Sequence, residues 1–190
     1  MIVSFGAVGA PWARDDGAQG PVVLGLILRG PEGPQPMGWA VGVEVEVRNL
    51  GTEDVWIVGV VDGSEEGVRY PHYLPSVTRD LEVVAKPPPP EDPLVGPLRV
   101  ADFRRLGPGE GFDPTRGDGA AYLPLSTFTS FRPTEPGVHR YTLILSTESQ
   151  EPEEWLGRFG QEAEREAVLD LVTRIPRLTV KSDPLVVEVR

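Results

Sequence analysis

Val41-Gly-Val-Glu-Val-Glu-Val-Arg-Asn-Leu-Gly-Thr-Glu-Asp-Val-Trp-Ile-Val-Gly-Val-Val61 decides the fold class of this chain. Its first half alternates without a fault, with Val41, Val43, Val45 and Val47 on one side and Glu44, Glu46 and Arg48 on the other. Successive side chains of a strand point to opposite faces, so the segment builds one dry face and one wet face. Asn49-Leu50-Gly51-Thr52 then supplies turn chemistry, because Asn and Gly accept positive φ at low cost. Residues 55–61 read as a second strand returning antiparallel to the first, and the expected unit is a hairpin at the centre of a β-sandwich. Both faces of this second strand are apolar: Val55, Ile57 and Val61 on one, Trp56, Val58 and Val60 on the other. A strand dry on both faces is covered twice, by the opposite sheet and by a further element.

Working outward, short strands are expected at residues 2–5, 21–28, 68–74, 77–85, 98–106, 120–128, 138–146, 178–180 and 185–189. Clusters of Gly and Pro punctuate them, most densely at 29–36 and 107–110. Pro87 to Pro90, with Pro93, imposes a polyproline segment that cannot pair inside a sheet. The helical expectation is confined to residues 153–171, where Trp155, Leu156, Phe159, Ala163, Ala167 and Leu171 share one arc of a helical wheel. The pattern is that of a mainly β protein, an antiparallel β-sandwich with one helical insertion near the C-terminus, forming a single domain over 1–190.

Composition narrows the function classes. A chain of 190 residues can bury a core without staples, and it contains no cysteine, which excludes disulfides, thiolate metal sites and cysteine nucleophiles. The formal charge of −11 and the absence of a basic stripe argue against nucleic acid, whose phosphates need clustered Lys and Arg. Only Lys86 and Lys181 are lysines, an arginine bias that suggests a GC-rich genome. Residues 1–13 lack the basic start and sustained apolar run of a signal peptide, so the chain is expected to be cytoplasmic, export requiring a leader missing from this sequence. The apolar run at 22–28 is far shorter than the ~20 residues of a membrane helix, so no membrane association is expected.

Four local signatures resemble the immunoglobulin-like β-sandwich domains of unknown function found in bacterial proteins. They are Val-Glu-Val-Arg-Asn-Leu-Gly (45–51), Leu-Gly-Pro-Gly-Glu (106–110), Pro-Gly-Val-His-Arg-Tyr-Thr-Leu (136–143) and Ser-Asp-Pro-Leu-Val-Val-Glu-Val (182–189). The resemblance implies that the Asn-Leu-Gly turn joins two central strands and that Pro-Gly-x-x-x-Tyr opens a late core strand. The order of elements is similar, more weakly, to the intracellular proteinase-inhibitor family built on this sandwich. The chain departs from that family in two places: Arg79-Asp80-Leu81 stands where an Asp-Gly turn would be, and a helix precedes the last strands. The resemblance implies a fold and assigns no functional residue.

Candidate sites are few. Asp62-Gly-Ser64-Glu-Glu66 places oxygens at alternate positions as calcium loops do, but stops short of the six ligands calcium takes; it reads as a solvated turn. Arg116-Gly117-Asp118 matches the integrin-recognition tripeptide, a match that common residue types in a Gly-rich loop produce by chance. His72 and His139 lack a nucleophile elbow or a zinc-ligand spacing, and His139 reads as an exposed or half-buried strand residue. Glu151, Glu153, Glu154, Glu162, Glu164 and Glu166 read as a solvated acidic helix face rather than an acid–base pair. No phosphate or dinucleotide loop is present. No cofactor or metal is therefore expected, and no catalytic residue.

The leading expectation is a non-catalytic protein-binding or assembly module, acting on a protein partner or as a homo-oligomer. The apolar stripe of Trp56, Val58 and Val60, together with Trp155 and Phe159, is the expected partner surface unless the helix lies across the stripe itself. Proteinase inhibition, from the resemblance, is the alternative. A hydrolase using loop carboxylates and a histidine is the third.

Overall fold

The computed structural model describes residues 23–87, 89, 95–116, 125–157 and 159–190. Among these residues ten strands run in chain order as β1 (Leu24–Arg29), β2 (Glu44–Asn49), β3 (Val55–Val58), β4 (His72–Arg79), β5 (Glu82–Ala85), β6 (Phe103–Leu106), β7 (Gly111–Phe112), β8 (Gly137–Ser146), β9 (Thr179–Lys181) and β10 (Leu185–Val189). Two helices, α1 (Ser126–Ser130) and α2 (Arg165–Thr173), complete the set. One sheet has the order β1-β2-β7, a second the order β10-β8-β4-β5, and β3 pairs with β6 in a two-stranded ribbon. All the strand ladders are antiparallel.

The two larger sheets face one another across the main core. Leu24 and Leu26, Val45 and Val47 enter it from one sheet, and Tyr73, Val77, Tyr141, Leu143, Leu145, Val187 and Val189 from the other. The last strand lies beside the long β8, which lies beside the β4–β5 hairpin, the arrangement of an immunoglobulin-like sandwich. β9 and β10 both pair with the same edge of β8. Ser182 spans the break between them, its N–H donating to Leu143 O (2.9 Å) while its Oγ accepts from Leu143 N (3.0 Å).

The central hairpin is not formed. β2 pairs with β1 and β7, and β3 leaves to pair with β6, Val55 opposite Leu106 and Val58 opposite Phe103. Asn49 is the cause at the corner. Its buried amide donates to Glu53 O (2.7 Å) and Leu106 O (2.9 Å) and accepts from Gly51 N (2.8 Å). All its main demands are met by directing the chain out of one sheet and into the ribbon. Alternation tells which face is dry but does not name the pairing partner.

Other boundaries move for local reasons. The strands expected at 68–74 and 77–85 become a strand through Pro75 and a hairpin whose turn is Asp80 (φ 50) and Leu81 (φ 72). Two successive left-handed residues match the twist of a tight hairpin, a position that usually takes Asn-Gly. The strand expected at 98–106 starts only at Phe103, after a 3₁₀ turn over Val100–Asp102. Of the strand expected at 120–128, residues 120–124 lie outside the described residues, and Ser126–Ser130 is helix α1. The carboxylate of Glu65 sits at the start of this helix, accepting from Ser126 N (2.6 Å), Ser126 Oγ (2.9 Å) and Thr127 N (2.7 Å). The strand expected at 2–5 and most of the polyproline segment also lie outside the described residues.

The insertion differs most. In place of a helix over 153–171 there is a 3₁₀ turn at Pro152–Trp155, a series of turns, and α2 from Arg165. Gly157 packs so closely on Gly96 that a Cβ there would lie 2.2 Å from the Gly96 oxygen. Glu164 takes positive φ (59°) just before α2. The helical phase therefore restarts, and Val168 and Val172 point inward while Phe159, Ala163 and Ala167 are exposed.

Candidate functional site

A second core underlies the site. Val58, Val60, Leu98, Phe103, Trp155, Leu156, Val168, Val172 and Ile175 are buried together, with Trp56 and Tyr70 packed at the margin. The second apolar face of β3 is thus covered by the insertion of the same chain. Of the expected partner surface, Val58, Val60 and Trp155 are buried and Trp56 is half-buried, while Phe159 is 59% exposed.

Polar groups fasten the insertion. Gln161, buried, accepts from Leu98 N (2.8 Å) and Gly157 N (2.9 Å) and donates to Leu98 O (2.8 Å), so its amide replaces a strand partner for Leu98. Glu164 accepts from Val100 N (2.8 Å). Arg177 donates to Ile175 O (3.0 Å) and Val172 O (3.1 Å) at the end of α2 and lies 4.8 Å from the Trp155 ring. Burial pushes its guanidinium below the ordinary value.

Between the insertion and the chain entering β4 lies a cleft of ≈ 650 Å³, lined by Val68, Tyr70, His72, Glu153, Glu154 and Arg165 among others. Tyr70 and His72 stack at 3.7 Å between ring centroids, and Tyr70 meets Trp155 at 5.5 Å. Burial lowers the His72 pKa, and the nearby Glu154 carboxylate offsets this only in part. Ser149 Oγ donates to Glu154 (2.5 Å), and Tyr70 N donates to Glu154 O (2.9 Å). His72 has no hydrogen bond to a hydroxyl among the described residues.

His139 does not join it. It faces inward, buried, with its ring 5.9 Å from Phe131 and Nδ1 3.4 Å from Gly137 O. The expectation of an exposed or half-buried residue is corrected: His139 shares the parity of Tyr141, Leu143 and Leu145, which is the core face of β8. The Asp62–Glu66 turn is likewise not a solvated one. Ser64 and Glu65 are buried, Glu65 is consumed by α1, and Asp62 accepts from Gly96 N (3.1 Å), so its oxygens diverge. Among the described residues no three His, Asp or Glu side chains could hold a metal ion together. Arg116 pairs with Glu44 (2.8 Å) and Asp113 (3.4 Å), while Gly117 and Asp118 lie outside the described residues. The acidic run is only partly a solvated face, since Glu153, Glu154 and Glu164 bind Arg165, Ser149 and Val100.

Apolar side chains are exposed at several places, Trp39 (71%) among them, and a group of them lies on the margin of the second sheet. Leu81, Val83 and Val84 are 91%, 59% and 37% exposed on the β5 hairpin, and β5 is the end strand of its sheet. The opposite edge is closed: Gln35 N donates to Glu188 O (2.8 Å), and Arg190 N donates to Gln35 O (2.9 Å), laying the 30–37 loop along β10. The sequence offered Glu82-Val-Val-Ala85 only as part of a longer strand, with nothing to mark it as an edge.

The fold and these surfaces define an antiparallel immunoglobulin-like sandwich carrying a helical insertion with its own small core. No protein-family model matches the sequence, and no curated protein matches it. Among solved structures, the chain is similar to the crystal structure of the CARDB domain of the PF1109 protein from Pyrococcus furiosus in complex with di-metal ions. The identity is 14%, over 88% of this chain and 87% of that one, with a TM-score of 0.32. A solution NMR structure of the same domain gives 15% identity, 88% and 94% coverage, and a TM-score of 0.31. Likeness at this level leaves the metal ions a property of that domain alone. No helix among the described residues is long and apolar enough to cross a membrane.

Proposed function

We propose that this chain is a non-catalytic protein-binding module whose recognition element is the edge of β5 that no strand among the described residues pairs with. The observation that carries the reading is the exposure of Val83 and Val84 on the end strand, and of Leu81 in the turn before it, in a sheet whose other edge is closed by the 30–37 loop. An uncovered strand edge with exposed apolar side chains is a template for strand addition. The occupant is an extended segment of another protein. A second copy of this chain fits poorly, because pairing four residues against four covers far less than the ~1,200 Å² of a stable interface, and two copies at −11 each repel. Main-chain hydrogen bonds supply affinity in this mode, and alternate side chains supply selectivity.

Selection of random peptides displayed on phage tests the reading. Extended, apolar-alternating peptides should be enriched on the wild-type chain and lost on a V83K/V84K variant of unchanged melting temperature. Their amide shift perturbations should centre on residues 82–85. Equal enrichment on the variant, no enrichment on either, or perturbations confined to the His72 cleft would each overturn it.

A further inference from the structure

Arg69 is the most unusual charged group in the described structure. It precedes β4 in Gly67-Val-Arg-Tyr-Pro71 and is only 2% exposed. Its backbone N donates to Gly63 O (3.0 Å), which pins the main chain. A guanidinium has five N–H donors, yet among the described residues this one makes a single hydrogen bond, from Nη1 to Gly96 O (3.1 Å). Nε is sealed from solvent without a partner. Burial lowers its pKa, which the charges of Asp62 and Asp102 partly counter, but an arginine keeps its proton at neutral pH.

The two carboxylates near it are committed elsewhere. Asp102 accepts from Arg99 N (2.9 Å) and Arg99 Nη2 (3.0 Å). Asp62 accepts from Gly96 N. Neither forms an ion pair with Arg69 among the described residues. Arg69, Asp62, Gly96, Arg99 and Asp102 line one cavity of ≈ 270 Å³, with Val60 on its apolar side. A buried cation left with one neutral acceptor is costly, and an anion placed beside it offsets part of that cost.

We propose that this cavity is a binding site for a small monocarboxylate, with Arg69 as its anchoring cation. The lining charges fix the class. Asp62 and Asp102 offset part of the Arg69 field, while the hydration an ion gives up on burial grows with the square of its charge, so a monoanion is favoured here over a dianionic phosphate.

The test is a titration of the ¹⁵N-labelled chain with sodium acetate in low-chloride buffer, following the Arg69 Nε–Hε resonance and the Gly96 and Asp102 amides. The expected result is a saturable shift of all three with acetate, a weaker response to inorganic phosphate, and none to acetamide at equal concentration. Arg69→Met should abolish saturation at the Gly96 and Asp102 amides. Should that variant fail to fold, Asp62→Asn keeps the oxygen that Gly96 N uses, removes one repelling charge, and should tighten acetate binding about threefold or more. No saturable shift up to about 100 mM acetate, a range that fills any site of millimolar affinity, would overturn the proposal. So would an acetamide response equal to acetate, or an Asp62→Asn variant that binds acetate no better.

Discussion

Truncating Trp155 to alanine should weaken the fold more than any change on the exposed part of the insertion. The side chain is fully buried in the second core, contacts Tyr70 at 5.5 Å and lies under the Arg177 guanidinium at 4.8 Å. A buried tryptophan removes ~200 Å² from water, which at ~25 cal/mol per Å² is about 5 kcal/mol, less the small part that alanine retains. The lost cation–π contact adds ~0.5–1 kcal/mol, and relaxation around the vacated space returns a similar amount. The expected loss is therefore ~4 kcal/mol, a fall in melting temperature of roughly 8–16 °C for a chain of this size. Urea unfolding followed by far-UV circular dichroism measures it, with Phe159→Ala as the control. Phe159 is exposed and should cost no more than ~0.5 kcal/mol. A lower m-value in Trp155→Ala would show the insertion loosening ahead of the sandwich. A loss below about 1.5 kcal/mol, or a Phe159→Ala cost as large as that of Trp155→Ala, would refute the second core as the support of β3.

Glu65→Gln places an amide N–H₂ against the N–H groups of Ser126 and Thr127 and should cost ~2–3 kcal/mol by thermal unfolding; a loss under ~0.5 kcal/mol would remove Glu65 as the cap of α1. Leu81→Gly relieves a left-handed residue that buries almost nothing and should gain ~0.5–1 kcal/mol, whereas a loss would show that the side chain packs. The His72 pKa is depressed in the folded state, so below its unfolded value of 6.5 the unfolded chain binds the proton first and stability falls as pH drops. Melting temperatures at about pH 7.5 and pH 5.5 should therefore differ less in His72→Gln than in wild type; an equal or larger difference in the variant would contradict the shift.

Local pattern alone determined a good deal about this protein. The parity of Val45 and Val47 and the uninterrupted apolar run at 55–61 identified core faces, because side-chain direction along a strand is a property of the backbone, whereas the inward parity of His139 went unread. The double coverage of β3 and the placement of a helical segment near the C-terminus followed from the same kind of reading, as did the mainly β class. Pairing was decided only by the tertiary structure. A strand edge is chemically alike along its length, so nothing local separates a β2–β3 hairpin from the β2–β7 and β3–β6 pairs that Asn49 directs through contacts with Leu106, far along the chain. The same holds for the surfaces. Glu65 looks like a solvated turn residue until the start of α1 arrives to consume it, and Arg69 looks like an ordinary strand cation until Gly96 and the segment that follows it pack against it. Burial of a charge depends on what packs against it from elsewhere in the chain, which is why the edge of β5 and the Arg69 cavity appear only in three dimensions.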